Sequence, residues 1–201
     1  MLDVSDRLVV IIGGGAVAAR KVATLLECGA TRVRVVAPRC VAQMPEKVER
    51  LSETYEPRHL DGAHLVFAAT DSPQVNQQIV RDARTRRVLV NRADEGELAG
   101  DFVTPARFTE GEVVVTVTAG SAALAAAIRD DLTRHIDRRH LKMAHAMQTL
   151  RPVIHDSGLD AEQRQAVFRD LASDEAIAVI DAGGIDELRR WIAGRYPNVK
   201  L

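Results

Sequence analysis

Three consecutive glycines, Gly13-Gly14-Gly15, precede Ala16, Val17 and Ala18. The run matches G-x-G-x-x-G/A through Gly13, Gly15 and Ala18. In that spacing the first glycine allows a tight turn and the second lets a diphosphate reach the backbone. The third small residue lets a helix pack closely on a strand. The helix that follows presents unpaired N–H groups and a partial positive charge, which favour an anion. Gly13, Gly14, Gly15, Ala16 and Val17 are therefore the expected contacts of a dinucleotide: NAD, with NADP left open.

Other positions are candidates by their place after a strand. Pro38 and Arg39 follow the second strand, where NAD-selective proteins often carry an acid for the ribose hydroxyls. Arg39 suits either a 2′-phosphate or plain exposure. Thr70 and Asp71 follow a third strand and suit either a crevice wall or the start of a helix. Asp94 stands just after a strand ending at Asn91. A carboxylate there can act as a general base; its simpler role is a solvated loop acid beside Glu95 and Glu97. No metal site is expected: His140 and His145 are five apart, not the four that share a helix face, and Cys28 and Cys40 are the only cysteines.

Elements must position these residues. Arg7–Ile12 is a β-branched run bounded by glycine, as in a strand buried on both faces. Helix is expected over 16–28 and strand over 32–37, completing a βαβ unit of about 30 residues. The alternation continues with strands over 65–69 and 88–90, a helix over 74–84 and a weaker strand over 53–56. An edge strand is expected over 102–106 and a firm one over 112–118. Beyond Ser121, which suits an N-cap, the pattern is helical: Leu124, Ile128, Leu132 and Ile136 recur every four residues, and helices are expected over 161–171 and, after Gly183-Gly184, over 185–193. The expected class is α/β: a Rossmann-like doubly wound parallel sheet (1–93), a small α+β dimerisation region (94–120) and a helical C-terminal part (121–201).

Composition narrows the function classes. With 201 residues, 46% hydrophobic and 27% charged, the chain is globular, and its net charge of −1 gives no bias toward nucleic acid or anionic membrane. The run Leu8–Ala19 is too short to span a bilayer. Asp3 and Asp6 stand where a secretory leader carries base, so a cytoplasmic protein is expected. Arg134, His135, Arg138, Arg139, His140 and Lys142 form a basic cluster that suits a polycarboxylate, or a solvated face balanced by Asp130, Asp131 and Asp137.

The glycine turn with Arg20-Lys21 resembles the precorrin-2 dehydrogenase / sirohydrochlorin ferrochelatase family, which includes the N-terminal module of siroheme synthase. Val35-Val36-Ala37-Pro38 is similar to its second strand. Residues 60–71 (LDGAHLVFAATD), with Pro73 and Asn76, resemble its D-G-A-x-L-V-x-A-A-T-D-x-P-x-x-N segment. Val90-Asn91-Arg92-Ala93-Asp94 resembles V-N-V-V-D, Asp101–Ala106 resembles D-F-I-F-P-A, and Leu124-Ala125 with Arg129 resembles S-P-x-L-A-x-x-L-R. The likeness runs over about residues 3–135. It implies NAD-dependent oxidation of precorrin-2, a tetrapyrrole, to sirohydrochlorin, with ferrous iron insertion in some members. It also implies a homodimer and a functional role for Asp94. A non-catalytic NAD(H)-binding sensor or assembly protein on the same fold is the alternative, and a dehydrogenase of an unrelated small molecule is a third reading.

The chain departs from the pattern in places. Arg92 replaces an apolar residue, the loop Thr118-Ala119-Gly120-Ser121 is one residue short, and Ala122 replaces a proline. In relatives that loop helps shape the tetrapyrrole site, so the resemblance implies that its departures bear on substrate detail and on metal insertion more than on oxidation.

Overall fold

The computed structural model describes residues 2–94 and 100–199. The chain divides into two compact units, Met1–Thr104 and Pro105–Leu201.

The first unit is built on β1 (Leu8–Ile12), β2 (Arg32–Val36), β3 (Glu49–Leu51), β4 (Leu65–Ala68) and β5 (Leu89–Arg92). They form one sheet in the order β3-β2-β1-β4-β5, with every pairing parallel. Successive side chains of a strand point to opposite faces, and the fully buried β1 feeds two cores. Val9 and Ile11 join Val33, Val35, Leu65 and Phe67 under Ala18, Val22 and Leu25 of helix α1 (Ala16–Glu27). Leu8, Val10 and Ile12 join Val66, Ala68 and Val90 under Ile79, Val80 and Ala83 of α2 (Pro73–Thr85). Helices thus cover both faces, which is why β1 and β4 are apolar throughout. This is the expected Rossmann-like arrangement.

Two strands lie elsewhere than the sequence suggests. The edge strand is Glu49–Leu51, not 53–56. Glu53 instead pairs with Arg58 at 2.6 Å and with the buried His59 at 3.0 Å, fixing the short 3-10 turn Pro57–Leu60. Phe102 lies outside any strand: its ring packs edge-on against Phe67 with centroids 5.5 Å apart, and its carbonyl accepts from Asn91 Nδ2 at 2.8 Å. The strand begins only at Ala106.

In the second unit β6 (Ala106–Glu110) and β7 (Val113–Val117) form an antiparallel hairpin, and α3 (Ala122–Arg134) packs on both. Ser121 caps α3, its hydroxyl accepting from Leu124 N at 3.2 Å. Of the α3 side chains only Ala125 is fully buried, while Leu124 (52%), Ile128 (38%) and Leu132 (49%) stay exposed. Helices α4 (Arg138–Asp156), α5 (Ala161–Leu171) and α6 (Asp174–Arg195) enclose a separate core of Met143, Leu150, Ile154, Val167, Leu171 and Leu188, among others. α6 is two helical stretches joined at Gly184, whose φ of 68° and ψ of −163° lie outside helical space. The residues after Gly183-Gly184 are therefore the second stretch of a longer element.

Candidate functional site

The strand order reverses between β1 and β4. In open α/β sheets ligands bind beyond the carboxyl ends of the strands at such a point. Gly13 and Ala69 face each other there. A Cβ on Gly13, whose φ is +130°, would stand 2.2 Å from the Ala69 carbonyl oxygen. Gly14 is equally constrained, since its Cβ would stand 1.9 Å from the carbonyl oxygen of Arg39. Val41 N–H also donates to the Gly14 carbonyl at 2.9 Å. The first two glycines thus draw three backbone segments together.

Gly15 differs. A Cβ there would meet nothing within 4 Å. Gly15 is the N-cap of α1 and offers no side-chain cap, and the first turn carries no acid. Gly15, Ala16 and Val17 are exposed, whereas Ala18 is buried against the sheet. Bare amides at a helix start, facing open space with no competing carboxylate, fit a diphosphate. This geometry meets the requirement that a dinucleotide imposes.

Pro38 and Arg39 are exposed beside this turn, and the Arg39 backbone, not its side chain, makes the contact with Gly14. On the other side Thr70 follows β4. Asn76, fully buried in the first turn of α2, binds it through three hydrogen bonds: Asn76 Oδ1 accepts from Thr70 N (3.1 Å) and from Thr70 Oγ1 (2.8 Å), and Nδ2 donates to Thr70 O (3.1 Å). Asp71 is exposed. Asn76 was visible in the sequence only as one letter of a matching segment, and its task shows in the structure alone.

Asp94 lies two residues past the end of β5, and each of its carboxylate oxygens accepts from Arg92. Arg92 Nε donates to Oδ1 at 2.7 Å and Nη2 to Oδ2 at 2.9 Å. Such two-pronged, charge-assisted pairs are strong. The hydrogen bonds from Arg92 hold the Asp94 carboxyl below its ordinary range, with a smaller contribution from Asn76. Asn76 thus connects Thr70 and Asp94. Glu95 and Glu97 lie outside the described residues. Asn91, 4% exposed, leaves Oδ1 without a hydrogen-bond partner.

Elsewhere the basic cluster is largely neutralised within the second unit: Arg134 pairs with Asp131, Arg139 with Asp137 and Lys142 with Asp181. Among the described residues no group of three or more His, Cys, Asp or Glu converges on one point, and no helix is long and apolar enough to cross a membrane.

Residues 1–106 match the family described as "Putative NAD(P)-binding". The chain is 33% identical over 208 residues to a siroheme synthase of Nitrosospira multiformis, covering 98% of this chain and 44% of that protein. It is 31% identical over 200 residues to the siroheme synthase of Pseudomonas paraeruginosa, covering 96% and 43%. The chain thus spans less than half the length of these curated relatives. A solved structure described as SirC, precorrin-2 dehydrogenase superposes with a TM-score of 0.76 at 22% identity, covering 96% of this chain and 98% of that one, and shares the fold.

Proposed function

The chain belongs to the NAD(P)-binding family matched over residues 1–106, and from that premise we propose that it oxidises precorrin-2 to sirohydrochlorin with NAD as the acceptor. The observation that carries the proposal is the open, uncapped start of α1 at Gly15, at the strand reversal and on the sheet edge that also carries Thr70 and Asp94. The likeness to siroheme synthases supplies the substrate class.

The bound nicotinamide supplies the hydride acceptor. Gly15, Ala16 and Val17 hold the diphosphate through backbone N–H groups, with Pro38 and Arg39 flanking the turn. Thr70, fixed by Asn76, and Asp71 line the wall opposite. Oxidation also releases a proton, and Asp94, ionised at neutral pH, accepts it before passing it to solvent. In this reading the protein works as a homodimer: the exposed Leu124, Ile128 and Leu132 of α3 form an apolar stripe that a second copy covers.

The test is anaerobic incubation of the purified chain with precorrin-2 and NAD, following sirohydrochlorin absorbance, with NADP in a parallel reaction. Product with NAD supports the proposal. Cofactor binding without product overturns it in favour of a sensor on the same fold.

A further inference from the structure

We propose that the buried Arg92 guanidinium, clamped on both oxygens of Asp94, fits this site for oxidation and bars a divalent metal ion from it. The inference rests on the activity proposed above and deepens it. Arg92 is the last residue of β5, in register with Ala68 of β4. Its side chain is only 4% exposed, against 28% for Asp94. Besides the two bonds to Asp94, Nη2 donates to the Pro73 carbonyl at the start of α2 at 3.3 Å. The cation is therefore fixed by burial, by a backbone oxygen and by the carboxylate. Separating it from Asp94 would break a two-pronged, charge-assisted pair whose cation is buried, which is costly.

Two reactions make different demands on Asp94. In oxidation a C–H bond of the macrocycle breaks and its electron pair leaves with the hydrogen as hydride to the nicotinamide. A second hydrogen leaves as a proton, and its electron pair stays to form the new double bond. The species that loses this proton is a cation and strongly acidic, so a weak base suffices. Metal insertion exchanges one divalent ion for two pyrrole protons. Those protons come from uncharged pyrrole nitrogens and need a stronger base, and the incoming ion must approach the carboxylate. Arg92 opposes both requirements: it occupies a lone pair on each Asp94 oxygen, and it sets a like charge directly beside the carboxylate that the ion would have to reach. The apolar residue of the family pattern at this position would do neither. Arg92 is thus a positioning residue that selects between reactions.

The experiment uses the full chain and two separate substrates. Precorrin-2 with NAD reads oxidation. Sirohydrochlorin with cobalt(II), anaerobically and without nucleotide, reads insertion. The wild type is expected to leave cobalt insertion at its uncatalysed rate. Arg92→Val is expected to raise insertion at least about tenfold and to move the acid limb of the oxidation pH profile upward, toward the ordinary carboxylate range. Arg92→Lys, which keeps the charge, should retain the barrier, and Arg92→Met repeats the valine test with the aliphatic stem kept. Wild-type insertion above the uncatalysed rate, or Val and Met variants that match the wild type in both readouts, overturns the inference. Failure to oxidise precorrin-2 overturns the proposed activity, and the cobalt reaction still decides the role of Arg92.

Discussion

Asn76 satisfies every polar group that Thr70 offers: its one buried amide accepts from the Thr70 N–H and hydroxyl and donates to the Thr70 carbonyl. The turn after β4 is held by this side chain together with Ser72, whose N–H donates to the Thr70 hydroxyl at 3.2 Å.

Asn76→Ala is expected to cost roughly 2–4 kcal/mol, because three hydrogen bonds to Thr70 vanish together and the half-buried Thr70 N–H and carbonyl lose their partner. The KM for NAD should rise alongside. Urea denaturation and steady-state kinetics on the same preparation check both, and an unchanged midpoint would contradict the assigned role.

The glycines of the turn should separate folding from binding. Gly15→Val adds a side chain in open space, so stability should change by no more than about 1 kcal/mol while NAD affinity falls by about tenfold or more, some 1.4 kcal/mol. Gly13→Ala meets the Ala69 carbonyl and a left-handed φ, so it should lower stability itself. Calorimetric titration with NAD and thermal melts of both variants distinguish the effects.

The Arg92–Asp94 pair carries a pH signature. The folded-state pKa of Asp94 is depressed. The stability it contributes is therefore fully present above the unfolded value of about 3.9 and is lost as pH falls through the lower folded value. Asp94→Asn should accordingly be less stable than the wild type at neutral pH, with the gap closing below about pH 4. Urea midpoints at pH 7 and pH 3 measure this, and a gap that widens in acid would contradict it.

Gly184 occupies backbone space that only glycine enters readily, so Gly184→Ala should destabilise the chain by about 1–3 kcal/mol. NAD affinity should not change. Hydrogen exchange should find the loss of protection confined to α4–α6.

The stripe on α3 predicts an assembly defect. Ile128→Asp with Leu132→Asp should turn a dimer into a monomer with the fold preserved. Sedimentation velocity together with circular dichroism checks it, and a wild type that sediments as a monomer removes the premise.

The sequence shows the frame of the first unit because the frame is written in period and composition. The apolar run at 8–12, the glycine turn and the next strand form one pattern, and Ser121 announces α3 by its own chemistry. Edge elements follow different rules. Glu49–Leu51 is a charged tripeptide recruited by the free edge of β2, and no apolar alternation marks it. Phe102 looks like strand but serves as a lid on Phe67. At the site, glycines could be read because their role is the lack of a side chain. Asn76 and Arg92 could not, since their roles depend on which atoms a tertiary fold brings within 3 Å. Arg92 stood out as a departure from a pattern, but the carboxylate it would reach was not visible from spacing.

The meeting of Gly14 with residue 39 has an evolutionary corollary. The docking uses the carbonyl of Arg39 and leaves its side chain outward. Any amino acid can supply that oxygen, so the residue beside the turn can be exchanged without disturbing the bend. The charge presented beside the open helix start is thus free to vary while the scaffold beneath stays the same.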